Sequence, residues 1–177
     1  MVKTIDFIIK VNTRVAEAVG FIYLSYLHRI FNDLLKMYGI YSNAISQAVR
    51  AVQRNDHVLK TMRALRKDIL RLVQTYIERS AELQVFNEHF LPRLLGLAED
   101  FRGNDPNARD AEVLMLFATM FKRLGMGLSG FLEPVLFNLC DATLGMIKND
   151  YLSFPDFRDG LFALVGSVIK HCLQGLL

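Results

Sequence analysis

Apolar residues recur at three- and four-residue spacing along almost the whole chain of 177 residues, and no run alternates cleanly with period two. That periodicity predicts an all-α fold. A first helix is expected from about Lys3 to Val19, with Ile5, Ile8, Asn12, Val15 and Val19 on its inner face. A second, about Phe21 to Val52, turns Leu27, Ile30, Phe31, Leu34, Leu35, Tyr38, Ile45, Ala48 and Val49 inward. Gly39 lies in its interior, where glycine costs about 1 kcal/mol, so a bend or break is expected there. A third, about Asp56 to Arg79, buries Leu59, Met62, Leu65, Ile69, Leu72, Val73 and Tyr76. Four more follow, about Ala81 to Phe101, Pro106 to Leu124, Ser129 to Asp150 and Pro155 to Leu173.

Local chemistry supplies the boundaries. Asp105 followed by Pro106 reads as an N-cap with proline at the first helical position, where a missing amide hydrogen costs nothing. Ser129 is placed to cap the sixth helix, and Gly103 and Gly125 stand where left-handed C-terminal caps are expected. Pro92 and Pro134 fall inside apolar helical runs and should kink them, because each removes an intrahelical hydrogen bond.

These features repeat. The runs around Pro92 and Pro134 are 42 residues apart, and the Pro-x-x-Arg-Asp runs beginning at Pro106 and Pro155 are 49 apart. Two helices per period in the forties, with proline in the first and arginine early in the second, is the pattern of a HEAT repeat. Each pair is too apolar to stand alone and must stack on its neighbours. The expected architecture is therefore an α-solenoid of about seven helices in antiparallel pairs, stacked as a right-handed superhelix. The pairs cover about 21–80, 81–125 and 129–174, and a lone helix at 3–19 precedes them. An ordinary helical bundle is the alternative on periodicity alone. First helices should lie outside and second helices inside, and Phe117 and Val165, on two second helices, should both be buried.

Length and composition fit one domain with a large core: 52% of residues are hydrophobic and 22% charged. A mean hydropathy of +0.24 raises the question of a membrane. The longest run without Asp, Glu, Lys or Arg, Met37 to Val49, has only 13 residues. A bilayer needs about 20. Asp6 and Lys10 interrupt the apolar run that a signal peptide would need. Cys140 and Cys172 are the two cysteines, without the spacing of a disulfide framework or a four-cysteine zinc site, which points to a reducing compartment. The chain stops at Gly175-Leu176-Leu177 directly after an apolar helical pattern, so it is expected to be one HEAT segment, 1–177, of a longer chain.

Little in the sequence supports catalysis. His28, His57, His89 and His171 are scattered, with no serine, cysteine or carboxylate at a nucleophile–base spacing, so no catalytic residue, cofactor or metal site is expected. The strongest local feature is charge. Between Arg50 and Arg71 lie seven basic and two acidic residues, against a net charge of +3 for the whole chain. Lys60, Arg63, Lys67 and Arg71 align as a stripe along the third helix, with Arg66 beside them, and these five are the candidate protein-interaction residues. A solvated helix face is the competing reading. Nucleic acid is a weaker partner, because no aromatic residues interleave with the basic ones.

Ordered residues along the chain carry a resemblance: Lys10, Asn12, Arg14, Ala18, Val19, Gly20, Leu27, Arg29, Ile30, Asp33, Tyr38, Ser42, Ile45 and Ser46, then Met62-Arg63, Arg79-Ser80 and Phe90 with Pro92-Arg93-Leu94-Leu95. The matches are densest over Asn104, Pro106, Ala108, Arg109, Glu112, Val113 and Leu114, and close with Asp150, Pro155, Arg158 and His171-Cys172. Together they resemble the C-terminal part of the exportin-1 family of nuclear export receptors, within the importin-β (karyopherin) superfamily. Pro134 is displaced by one residue from the family pattern, and the link from Gly125 to Ser129 is richer in glycine.

The resemblance implies a HEAT solenoid in a receptor that shuttles between nucleus and cytoplasm, carrying cargo with leucine-rich signals together with Ran-GTP. Phe-Gly nucleoporins are implied as further partners. The family's signal groove and its reactive cysteine lie N-terminal to the matched region, so neither Cys140 nor Cys172 takes that role. The segment alone is expected to be monomeric. A HEAT scaffold of a complex unrelated to transport is the alternative function.

Overall fold

The computed structural model describes residues 2–51, 56–80, 88–148, 150 and 152–172, and among them no strand occurs. The fold is all-α. The chain divides into two compact units, one of residues 1–90 with 104–109 and the other of 91–103 with 110–177.

Unit 1 holds α1 (Val2–Val19), a 3-10 turn (Gly20–Tyr23), α2 (Leu24–Arg50), α3 (Asp56–Arg79) and a second 3-10 turn (Pro106–Ala108). Helix α3 packs against both α1 and α2. The core between them is formed by Leu27, Phe31, Leu34, Tyr38 and Ile45 of α2 and Leu65, Ile69, Leu72, Val73 and Tyr76 of α3. Phe31 meets Phe90 edge to face, with ring centroids 4.4 Å apart. Gly20 adopts a φ of +56°, and a Cβ there would lie 3.1 Å from the Arg79 carbonyl oxygen, so both the turn and the close approach of α3 require glycine.

Three expectations change in this unit. Helix α2 runs unbroken through Gly39, where a bend or break was expected. The cost of one glycine is offset by the apolar residues buried on both sides of it, from Leu27 to Ile45. The inner face of α1 is rotated by about one residue: Ile9, Thr13 and Ala16 are buried, while Ile8 and Val15 are 51% and 39% exposed. Thr13 and Ala16 are small enough to let α1 approach α3 closely. Asn12 still points toward the unit, where its Oδ1 accepts a 2.6 Å hydrogen bond from the Tyr23 hydroxyl. Finally, Asp105 does cap a proline-led turn, accepting from the Asn107 amide at 2.9 Å, but the turn lasts three residues. Arg109 is extended, so the helix expected from Pro106 does not form there.

Unit 2 holds α4 (Leu91–Gly103), α5 (Glu112–Leu124), a 3-10 stretch (Gly125–Phe131), α6 (Leu132–Leu136), a π-helical turn (Phe137–Asp141), α7 (Ala142–Ile147) and α8 (Pro155–Cys172). Helix α5 begins six residues later than expected, where Asp110 accepts a hydrogen bond from the Glu112 amide at 3.2 Å. Helices α5 and α8 form the main contact of the unit, bringing Leu114, Phe117 and Phe121 together with Leu161, Leu164 and Val168 in its core. Phe117 is 1% exposed as expected, but Val165 is 36% exposed. The helical repeat of α8 turns Leu161, Leu164 and Val168 inward and leaves Phe162, Val165 and Ile169 outside.

Both prolines disturb their helices, by different means. At Pro92 the run is interrupted by a turn at Phe90, and the proline sits in the first turn of α4, where its missing donor is not needed. Around Pro134 the expected single helix becomes a series of 3-10, α, π and α pieces. Ser129 lies within the 3-10 piece and does not cap α6. Arg102 of α4 steadies the π turn, donating to the Phe137 carbonyl at 2.9 Å and to Asp141 at 2.8 Å. Its guanidinium carbon also lies 4.0 Å from the centroid of the Phe137 ring. Gly125 has a positive φ, +50°, but its ψ of −126° is not that of the left-handed cap expected, and Gly103 ends α4 without a positive φ.

Within Glu112–Ile147 one window is apolar enough by composition to cross a bilayer, with a mean hydropathy of 1.2. Its longest unbroken α-helix, α5, has 13 residues. At 1.5 Å per residue that spans about 20 Å, short of a core of about 30 Å. The expected helix ends at Val52, Ala81 and Leu173 lie outside the described residues.

Candidate protein-interaction surface

The five basic candidates all lie on α3, yet the structure separates them. Lys60, Lys67 and Arg71 are exposed, while Arg63 is half-buried and donates to the Asn107 carbonyl at 2.8 Å. Arg66 is corrected from a surface residue to an interior one, because it is 1% exposed. Its Nη2 donates to the Ala108 carbonyl at 2.8 Å and its Nη1 to Ser42 Oγ at 3.2 Å. The guanidinium carbon lies 5.6 Å from the Tyr38 ring centroid. A buried charge of this kind persists only where hydrogen bonds replace its water.

Two basic residues missed in the sequence join the surface. Lys10 and Arg14 of α1 line one depression with Arg71, together with Thr13, Glu17 and Asp68. They occupy adjacent turns of α1, and the rotation of its inner face brings them beside α3. Their i, i+4 spacing was the available signal, hidden by the misplaced face.

The acids here temper the positive field. Lys10 lies 2.8 Å from Asp6 and 3.8 Å from Asp68, and Arg14 lies 3.3 Å from Glu17. The hydrogen bond from Lys10 holds the Asp6 carboxyl below its ordinary pKa, and the same bond raises that of Lys10. Asp68 moves the other way: burial is the main cause, and its hydrogen bond with Asp6 adds to it. The exposed surface is therefore a mixed field with a basic excess, carried toward solvent by Lys60, Lys67 and Arg71.

Among the described residues the other titratable groups do not converge on a catalytic arrangement. His28 and His89 meet edge to face at 5.7 Å, both exposed. No group of three or more His, Cys, Asp and Glu side chains suited to a metal occurs among the described residues. Cys140 is half-buried and Cys172 buried, and burial raises both thiol pKa values, which disfavours the reactive thiolate.

Residues 26–177 match the family model described as CRM1 C terminal. Exportin-1 of Drosophila melanogaster is 30% identical over 181 aligned residues, covering 99% of this chain and 17% of the relative. Exportin-1 of Schizosaccharomyces pombe shows the same identity and coverage. Exportin-1 of Dictyostelium discoideum is 31% identical over 91% of this chain and 15% of its own length. The chain thus spans about one-sixth of the curated relatives it matches. With most of its length matched, the chain belongs to the exportin-1 family, in the region described as the CRM1 C terminal.

Proposed function

We propose that this chain serves as the C-terminal part of a nuclear export receptor that shuttles between nucleus and cytoplasm, carrying cargo with leucine-rich export signals together with Ran-GTP and meeting Phe-Gly nucleoporins on the way. The observation that carries this reading is the family match over residues 26–177. The segment acts as a HEAT solenoid, with pairs at about 21–80, 81–125 and 129–174 after a lone helix at 3–19. Its long, apolar, mutually packed helices support that reading. Its part in transport is to present a protein-binding face, not to perform chemistry.

Within that reading, Lys60, Lys67 and Arg71 attract an acidic protein surface, with Ran or cargo as the occupant. Arg63 is a poor residue to test, because changing it also breaks its bond to Asn107. Lys67→Glu with Arg71→Glu in the full-length receptor should weaken assembly of the export complex about three- to tenfold at low salt, and less at high salt. Measuring affinity across a salt series checks this. Unchanged affinity and salt dependence would remove these residues from the partner surface, as the scaffold alternative expects.

The reading also sets what the 177 residues do alone. An export signal is an amphipathic peptide whose apolar anchors need a preformed groove. In the family that groove lies upstream of the matched region, so the isolated chain should show no saturable binding to a labelled signal peptide. Saturation by the signal, and not by a control lacking its leucines, would place a groove here and overturn this division of labour.

A further inference from the structure

We propose that residues Asn104 to Arg109 form a detachable strap on unit 1. The chain leaves unit 1 after Phe90, returns at Asn104 and leaves again after Arg109, so these six residues belong to unit 1 while both flanks belong to unit 2. Docked, the strap holds two of the three crossings of the chain at unit 1. Undocked, Phe90–Leu91 is the remaining covalent link.

The manner of attachment makes the strap separable. Its only buried apolar side chain is that of Ala108, which is small, so apolar burial contributes little to holding it. Hydrogen bonds do most of the holding. Asn104 Nδ2 donates to Ser42 Oγ at 3.0 Å, and the Asp105 amide donates to Ser46 Oγ at 3.4 Å. Arg63 and Arg66 donate to the carbonyls of Asn107 and Ala108, each at 2.8 Å. Arg66 also donates to Ser42 Oγ, so Ser42 receives from the strap and from the arginine that grips it. Three more bonds fold the strap on itself: the Asn107 amide donates to Asp105 Oδ1, the Ala108 amide to the Asp105 carbonyl and the Arg109 amide to the Pro106 carbonyl. The core of α2 and α3, by contrast, is held by large apolar side chains such as Phe31, Tyr38, Ile69 and Tyr76. A segment attached by directional bonds and one small methyl group opens before such a core does.

Amide hydrogen exchange on the whole chain, read across sub-denaturing urea, tests the strap. The Asp105 amide, whose bond to Ser46 Oγ crosses the attachment, should exchange by an opening insensitive to urea, since little surface is exposed. Amides of Leu34, Tyr38 and Ile69 should follow the steep urea dependence of global unfolding. In Ser42→Ala the Asp105 amide should exchange about tenfold faster, and in Arg66→Met faster still, with the core amides much less affected. An Asp105 amide that shares the urea slope of the core in the wild type would overturn the proposal. So would a Ser42→Ala variant in which strap and core accelerate equally, or in which the strap does not change. Ser42→Ala keeps the test open should Arg66→Met fail to fold.

Discussion

Truncating Phe117 to Ala should cost about 3–5 kcal/mol of stability, among the larger losses available to a single core substitution. Phe117 is 1% exposed on α5, and its neighbours Val113, Leu114, Met120 and Phe121 are buried with it. Helix α8 packs along the same helix. Losing the ring forfeits its transfer out of water and leaves a void that the surrounding helices close only partly. Urea denaturation of wild type and variant measures the loss. A loss below about 1.5 kcal/mol would mean that the site collapses around the missing ring, with α5 and α8 less firmly placed than the structure has them.

Adding atoms where α5 and α8 cross should be nearly as harmful. A Cβ at Gly160 would lie 3.0 Å from Leu114 Cβ, 3.1 Å from Leu114 Cδ1 and 3.5 Å from the Ala111 carbonyl oxygen. Leu114 is fully buried, so its Cβ cannot withdraw without moving α5. Gly160→Val should therefore cost about 2–3 kcal/mol. Gly160→Ala should cost less, because better helix propensity returns up to about 1 kcal/mol. A double-mutant cycle separates crowding from propensity: with Leu114→Gly in the background, which removes both Cβ and Cδ1, the penalty of Gly160→Val should shrink by at least half. An unchanged penalty in that background would show that Leu114 is not the obstacle.

Much of the helix plan was legible because it depends on local spacing. The observed limits of α1 and α8 lie within a residue of the expected ones wherever they are described, since Gly20 and Pro155 mark them chemically. The inner residues of α2 and α3 were read from periodicity alone, and Leu27, Phe31, Leu34, Leu65, Ile69 and Tyr76 are all buried. Helix α1 defeated the same method because it is apolar on more than one side. Thr13 and Ala16 join Ile9 on the buried face by being compact, a property that hydrophobicity does not rank.

The remaining misses are long-range. Arg66 was grouped with the surface because an arginine in a basic helix ordinarily stays in water. What draws it inward is the Ala108 carbonyl, 42 positions later in the chain. Asp105-Pro106 was read correctly as a cap, but the length of what it caps depends on the extended Arg109. Lys10 and Arg14 could join the candidate surface only after the face of α1 was known.

The geometry around Ser42 also bears on inheritance. One hydroxyl accepts from Asn104 and from Arg66, so three positions far apart in the chain share a single oxygen. Loss of the serine removes an acceptor from two donors at once, one of them on a buried charge, whereas loss of Asn104 leaves the arginine its oxygen. Descendant sequences should therefore tolerate drift at 104 before drift at 42. Where 42 does change, 66 should change with it.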